Sequence, residues 1–266
     1  MTVQSWLNRV RLTIEDSVAR ITLIRGAGNG LDSDMATAFA AAAAAAVEDS
    51  SVRVVVLDAE GKAFCVGGDL RAFADSNDRG TLVAEIAGGM HCGILTLAGS
   101  SIPVVSVVHG TIAGGGIGVA LCADIVLMAS DAMLKSAYTA AGLSPDCGAT
   151  WFLTARAGAA IALDLTLTNR SMSGADAARC GLVSRAVPAE QLAAEADAVI
   201  DALRHGSPAG LGRTKRLITG ADVDALARRL DDEAKNIAAA IVEPDGAEGV
   251  AAFLEKRRPR FASSTL

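Results

Sequence analysis

The sequence lacks the features that mark several whole classes of protein. Its formal charge of −6 is spread along the chain without a basic block. That argues against nucleic acid or an anionic membrane surface as the main partner, and for a small molecule. The five cysteines, Cys65, Cys92, Cys122, Cys147 and Cys180, form no CxxC or Cys/His ligand spacing, so no metal is expected. Their odd number suits a disulfide framework poorly, and a reducing, cytoplasmic setting is expected. Met1 to Arg11 lacks an apolar core after a basic stretch and does not read as a signal peptide. The long apolar tract from Ile102 to Ala129 contains His109, Asp124 and four glycines between Gly114 and Gly118. Those interruptions suit a buried strand, loop, helix and strand better than a membrane span. There is no GxGxxG or P-loop in register, because Lys62 precedes Gly67 and Gly68 instead of following them, and no internal repeat stands out.

What is present is a chain of 266 residues, 51% of them hydrophobic, long enough to bury a sizeable core. Alternating and β-branched runs predict strands at Val10 to Ile14, Val18 to Ile24, Val52 to Asp58, Val104 to Val108 and Ile125 to Met128. Between them the alanine run Met35 to Val47, opened by Asp32 or Ser33 as N-cap, predicts a helix, and Leu82 to Leu97 another. A short helix is expected at Val119 to Cys122. Strands alternating with helices imply an α/β core.

After Asp146 the character changes. Thr150 to Leu167, Gly174 to Cys180, Ala189 to Arg204, Pro208 to Ile218 and Asp222 to Ile241 favour helix, with one short strand at Val183 to Val187. The break at His205-Gly206-Ser207-Pro208 divides a core, residues 1–205, from a helical tail, residues 206–266, that looks too thin to fold alone. The tail closes on a predicted helix from Glu248 to Arg260 with a basic cluster, Lys256, Arg257, Arg258 and Arg260, suited to a solvated face or a phosphate contact.

Two glycine-rich stretches each follow a strand. Gly61 to Leu70 (GKAFCVGGDL) comes after the strand ending at Asp58, and His109 to Gly118 (HGTIAGGGIG) after the strand ending at Val108. Glycine lets a backbone turn tightly and approach a ligand, and a glycine-rich helix start exposes unpaired amides toward negative charge. Two such amides converging on one oxygen make an oxyanion hole. On spacing alone, close helix packing explains Gly114 to Gly118 equally well.

Together these segments resemble the crotonase, or enoyl-CoA hydratase/isomerase, superfamily. Gly61 to Leu70 is similar to its GKAFCAGADL motif, Val108 to Asp124 to NGxAxGGGxxLALxCD, and Ala141 to Leu153 to GLxPDxGxTxxL. Gly26 to Leu31 is similar to the early PxxNAL stretch, with Gly26 in place of proline. The resemblance runs over residues 10 to 260 with the motifs in family order. It implies an α/β fold with a crotonase-like spiral of ββα turns and a C-terminal helical trimerisation region. It also implies a homotrimer or a hexamer of two stacked trimers, an acyl-CoA thioester substrate, and no cofactor, coenzyme A being part of the substrate. Gly68 and Gly115 are implied as the oxyanion amides. Lys62, Ala63, Gly67, Asp69, Leu70 and Gly114 are implied around the substrate, and Phe253 and Lys256 near the CoA adenine or phosphate.

The chain departs from the family where its hydratases carry two glutamates, since those positions are Gly118 and Tyr138. Ordinary hydration needs positioned acid and base groups, so an isomerase is the leading reading. Behind it stand a hydratase with a re-sited acid and base, a dehalogenase- or hydrolase-like enzyme, and a non-catalytic acyl-CoA-binding protein. The segment GLSPDCGATWFL, Gly142 to Leu153, is similar to 1,2-epoxyphenylacetyl-CoA isomerases and 3-enoyl-CoA isomerases, in which an Asp in this turn moves a proton. That makes Asp146 the candidate base. Its local context, beside Pro145 and ahead of a helix, equally fits an N-cap. His91 matches a histidine that works with an Asp nucleophile in 4-chlorobenzoyl-CoA dehalogenases, although a lone histidine on a mixed helix is also an ordinary structural residue. Tyr138, the only tyrosine, fits a pocket wall or a core position. Trp151, Phe152 and Phe64 read as core or pocket wall, and Asp69 as a brace for its loop.

Overall fold

A computed structural model describes residues 1–26, 28–219 and 223–262. Ala27, within the early motif, and Asp222, expected to begin a helix, lie outside them. Three antiparallel strands open the chain: β1 (Thr2–Trp6), β2 (Val10–Glu15) and β3 (Val18–Leu23). From β3 onward the sheet turns parallel through β4 (Val54–Ala59) and β5 (Val104–Val108). A separate three-stranded sheet holds β6 (Thr111–Ala113), β8 (Met133–Lys135) and β9 (Ser171–Ser173). The main sheet ends with β7 (Ile125–Ala129) and β10 (Arg185–Val187), giving, among the described residues, seven strands in the order β1-β2-β3-β4-β5-β7-β10. The burial patterns follow from this. Val54, Val55 and Val56 of β4 are all buried, because helices cover both faces of a parallel sheet, whereas antiparallel β2 alternates.

Among the described residues ten α-helices pack around the sheets: α1 (Ser33–Glu48), α2 (Leu70–Asp75), α3 (Arg79–Gly99), α4 (Gly115–Leu121), α5 (Ala149–Thr168), α6 (Gly174–Arg179), α7 (Leu192–Arg204), α8 (Pro208–Thr219), α9 (Val223–Ala240) and α10 (Pro244–Leu254). Asp32, not Ser33, caps α1, accepting from the Met35 amide at 2.8 Å. The alanines of α1 leave room for α3 to lie close. A Cβ at Gly89 would fall 2.9 Å from the Ala36 methyl, and one at Gly93 would enter the Phe39 ring. Helix α3 is long and apolar enough to cross a bilayer. It is nonetheless packed as a core helix, with Val83, Ile86, Met90, Ile94 and Leu97 buried, and it carries His91 on the same face.

The sequence-based boundaries differ from the structure mainly at glycine and at the tail. The helix expected at Val119 to Cys122 begins earlier, at Gly115, because glycine at N1 meets no steric bar. The helix expected over Glu248 to Arg260 spans Pro244–Leu254 instead, opened by proline at its first turn and stopped short of Lys256, whose φ is +54°. The basic cluster is therefore outside the helix, and Arg257 folds back onto Glu248 and Glu255. The helices after residue 206 are tied to the rest of the chain by polar anchors as well as apolar contact. Buried Lys215 donates to the carbonyls of Leu97 (3.1 Å) and Ile102 (3.0 Å) and pairs with Asp124 at 2.9 Å.

Candidate active site

Three loops meet at the carboxyl end of the parallel strands. The first, after β4, is held from behind by Asn29, whose buried amide donates to the carbonyls of Glu60, Ala63 and Phe64. Leu31 pairs with it as an isolated parallel bridge. Its amide donates to Gly67 O at 2.8 Å, and its carbonyl accepts from the Asp69 amide at 2.9 Å. Those bonds flank Gly68, so its own N–H faces the other way. Asp69 braces this loop as expected, capping α2 through the Arg71 and Ala72 amides and pairing with Arg25. Burial works against its charge, but the Arg25 hydrogen bond and the amides outweigh it and hold the carboxyl below its ordinary value.

The second loop carries Gly114 as the N-cap of α4, with φ +49° and ψ −132°, a conformation open to glycine and closed to side chains. The Gly114 amide donates to Lys135 O (3.3 Å) and Ser136 O (3.1 Å). Gly115 follows at N1, where an amide has no intrahelical acceptor. Among the described residues neither Gly68 nor Gly115 N–H finds a protein acceptor. The two loops touch, since a Cβ at Gly67 would lie 2.9 Å from Ala113 O and 3.2 Å from Gly115 N. Gly67 is thereby brought against Gly114 and Gly115, with Gly68 next to it in the chain. Ala63 is buried behind it, Lys62 lends its backbone under Gly110, and Leu70 starts α2.

The third loop runs from Tyr138 to Gly148 and brings in the side chains. Asp146 Oδ1 lies 2.6 Å from His91 Nε2, both residues being buried, so residues from α3 and from a turn 55 positions later form one dyad. Asp146 does not cap α5, whose N-cap is Gly148 with no side-chain bond of its own. Glu233 of α9 takes that place, accepting from the Gly148 amide at 2.7 Å, the Thr150 amide at 3.0 Å and the Thr150 hydroxyl. Tyr138 is buried with its hydroxyl donating to the Asp146 carbonyl at 2.9 Å, and burial pushes its phenol well above the usual range. Cys147, at φ +57°, turns its thiol toward Asp146 Oδ2 (3.5 Å). Burial first, and the nearby negative charges second, push that thiol well up. The donor atoms of His91, Asp146 and Cys147 lie within 4.8 Å of one another, near enough for a metal ion. In this structure they are engaged with each other.

The backbone also explains one of the two missing glutamates, that at position 118. A Cβ on Gly118 would fall inside the Cys147 carbonyl, 2.6 Å from its carbon, so a carboxylate at 118 cannot coexist with this course of the Asp146 turn. Phe253 and Lys256 are not joined to the cluster. Both are exposed at the far end of α10. Phe64 and Phe152 are core, and Trp151 packs half-buried against it. Sequence reasoning missed Cys147, Glu233 and Phe73, whose ring backs Gly68, where an added Cβ would meet it at 2.7 Å. Of these, Glu233 left a trace, as a charge on the apolar stripe Leu226, Leu230, Ile237.

A family model described as "Enoyl-CoA hydratase/isomerase" matches residues 13–264. The chain is 33% identical over 254 residues to "1,2-epoxyphenylacetyl-CoA isomerase" of Escherichia coli, covering 93% of this chain and 96% of that one. It is 32% identical over 248 residues to "Probable enoyl-CoA hydratase echA8" of Mycobacterium tuberculosis, covering 93% and 95%. Its fold superposes on a crystal structure of an enoyl-CoA hydratase from Mycobacterium avium subsp. paratuberculosis with a TM-score of 0.87 at 30% identity, covering 96% and 99%.

Proposed function

This chain belongs to the enoyl-CoA hydratase/isomerase family, and from that premise we propose that it is an acyl-CoA isomerase that shifts a double bond without a cofactor. Asp146 takes a proton from the carbon next to the thioester of a 3-enoyl-CoA. The negative charge spreads into the thioester carbonyl, where the Gly68 and Gly115 amides stabilise it. The same proton, held at Asp146, returns to the carbon at the far end of the conjugated system and gives the 2-enoyl product. No water is consumed and no proton is lost overall.

The single observation that carries this reading is the orientation of Asp146, turned from the helix amides to His91 at 2.6 Å. That contact serves both states of the carboxyl. A protonated Nε2 donates to the carboxylate, and a bare Nε2 accepts from the acid. The Escherichia coli relative, a 1,2-epoxyphenylacetyl-CoA isomerase, points the same way, as does the lack of room for a carboxylate at 118. The reading includes a cytoplasmic homotrimer or pair of trimers, with Phe253 and Lys256 meeting the CoA moiety. In its support, Leu217 and Ile218 of α8 stand 84% and 79% exposed on the single chain.

The test is Asp146→Asn, which keeps size and loses basicity. It should leave the melting temperature and acyl-CoA binding nearly unchanged while lowering 3-enoyl to 2-enoyl conversion by roughly 10²-fold or more. Isomerisation at the wild-type rate by the substituted chain would sink the proposal. The same dyad favours one second reading, in which Asp146 displaces a halide from a carbon of the acyl group to form an ester, and His91 takes a proton from the water that attacks the ester carbonyl, releasing the hydroxylated acyl-CoA and restoring the carboxylate. Single-turnover reaction in ¹⁸O-labelled water separates the two, because only the second puts label into the Asp146 carboxylate.

A further inference from the structure

Glu233 is a carboxylate on the apolar face of α9, between buried Leu226, Leu230 and Ile237. Such a group is costly to bury unless it is fully hydrogen-bonded or paired with a cation. Among the described residues it pairs with no cation. Both of its oxygens are taken by the first turn of α5, Oε2 by the Gly148 amide at 2.7 Å and Oε1 by the Thr150 amide at 3.0 Å and the Thr150 hydroxyl. The donors it satisfies are those that the local sequence offers to Asp146, two residues before Gly148.

The turn between these carboxylates is held under tension. Cys147 and Gly148 are consecutively left-handed, at φ +57° and +78°. A non-glycine residue is disfavoured there and persists only where its surroundings impose it. Tyr138 fixes one side of the turn through the Asp146 carbonyl at 2.9 Å, and Glu233 fixes the other. With Glu233 absent, the amides of Gly148 and Thr150 would be bare, and Asp146 would be the carboxylate nearest in sequence to cap them.

We propose that Glu233 is a positioning residue for the proton transfer: by occupying the α5 helix start from the C-terminal helices, it keeps Asp146 out of the capping role and facing His91. The inference rests on the reading of Asp146 as the acid and base. It also gives the C-terminal segment a part in the site of its own chain, apart from any subunit contact.

The experiment is steady-state isomerisation of a 3-enoyl-CoA by Glu233→Ala and Glu233→Gln, each alone and combined with Asp146→Asn. Glu233→Ala should lower kcat about ten- to hundredfold, the scale of a misplaced catalytic group, with KM little changed. Glu233→Gln, which retains one acceptor oxygen, should fall between it and wild type and serves if the alanine variant does not fold. In the Asp146→Asn background neither substitution should lower the residual rate further, because the effect runs through Asp146. A wild-type kcat in Glu233→Gln, or an equal further loss in the Asp146→Asn background, overturns the proposal. A wild-type rate in Asp146→Asn alone would instead overturn the isomerase reading on which it rests.

Discussion

Helices α4 and α5 begin alike and end up serving opposite purposes. Each follows a glycine N-cap at positive φ, Gly114 at +49° and Gly148 at +78°, and neither cap supplies a side chain of its own. At α4 the Gly115 amide is left without an acceptor among the described residues. At α5 the amides of the N-cap Gly148 and of Thr150 are filled by Glu233, and that of Ala149, in the place of Gly115, donates to the Asp146 carbonyl at 3.1 Å. A bare helix start is a place for ligand charge, and a filled one is a fixed support. The two starts lie against each other, since the Cys147 carbonyl just before α5 lies against Gly118 of α4. The chain therefore presents free amides on one wall and a braced carboxylate on the other.

The most disruptive way to break this arrangement is Gly118→Glu, which restores a hydratase carboxylate on paper. Its Cβ would occupy the Cys147 carbonyl, a backbone overlap that no rotamer relieves. Destabilisation above about 3 kcal/mol is expected, beyond the usual range for overpacking, and no hydration activity should appear. Thermal melting together with a hydration assay checks this, and a stable, hydrating variant would show that the two starts are not locked together.

Gly115→Ala should have a smaller effect. The new methyl would meet Leu31 Cδ1 at 2.7 Å and Cys147 Sγ at 2.9 Å, both ends of side chains that can give. About 1–3 kcal/mol of stability should be lost. Isomerisation should drop more than ligand binding, because the free amide is moved relative to the charge that develops in the transition state. Equal losses in kcat and affinity would assign Gly115 to packing alone. The mildest test is Thr150→Val at the filled start. It removes the hydroxyl donor and keeps the amide bond to Glu233, so about 1 kcal/mol of stability and little activity should go. A large loss of turnover would mean that the hydroxyl, and not the two amides, holds Glu233 in place.

How far the site could be read from residues alone differs from loop to loop. Gly68 and Gly115 could be singled out only through the order of the family motifs, because on spacing alone close helix packing explains the glycines at the start of α4 equally well. The dyad was half legible. Asp146 and His91 each stood out, but they are 55 residues apart, and nothing local says that α3 turns His91 inward at that turn. Cys147 gave no sign, because a buried thiol resembles any small apolar residue in a sequence. The last helix shifted for a simpler reason. Proline at its first turn starts it, and the Arg257 contacts with Glu248 and Glu255 hold the basic cluster outside it.

The chain's own residues determined the longer strands of the main sheet, the long helices, the glycine loops and the absence of both hydratase glutamates, because periodicity, β-branching and backbone freedom act over a few neighbours, whereas β1, the short strands β6, β8 and β9, and helix α2 were not legible in them. Only the tertiary structure decided what Asp146 does. Locally an Asp placed just before a helix meets bare amides and caps them. Here a carboxylate 85 residues beyond Gly148 reaches those amides first, and a buried histidine pairs with the one displaced. That choice is a competition between acceptors brought together by packing, and a linear sequence does not contain the distances that settle it.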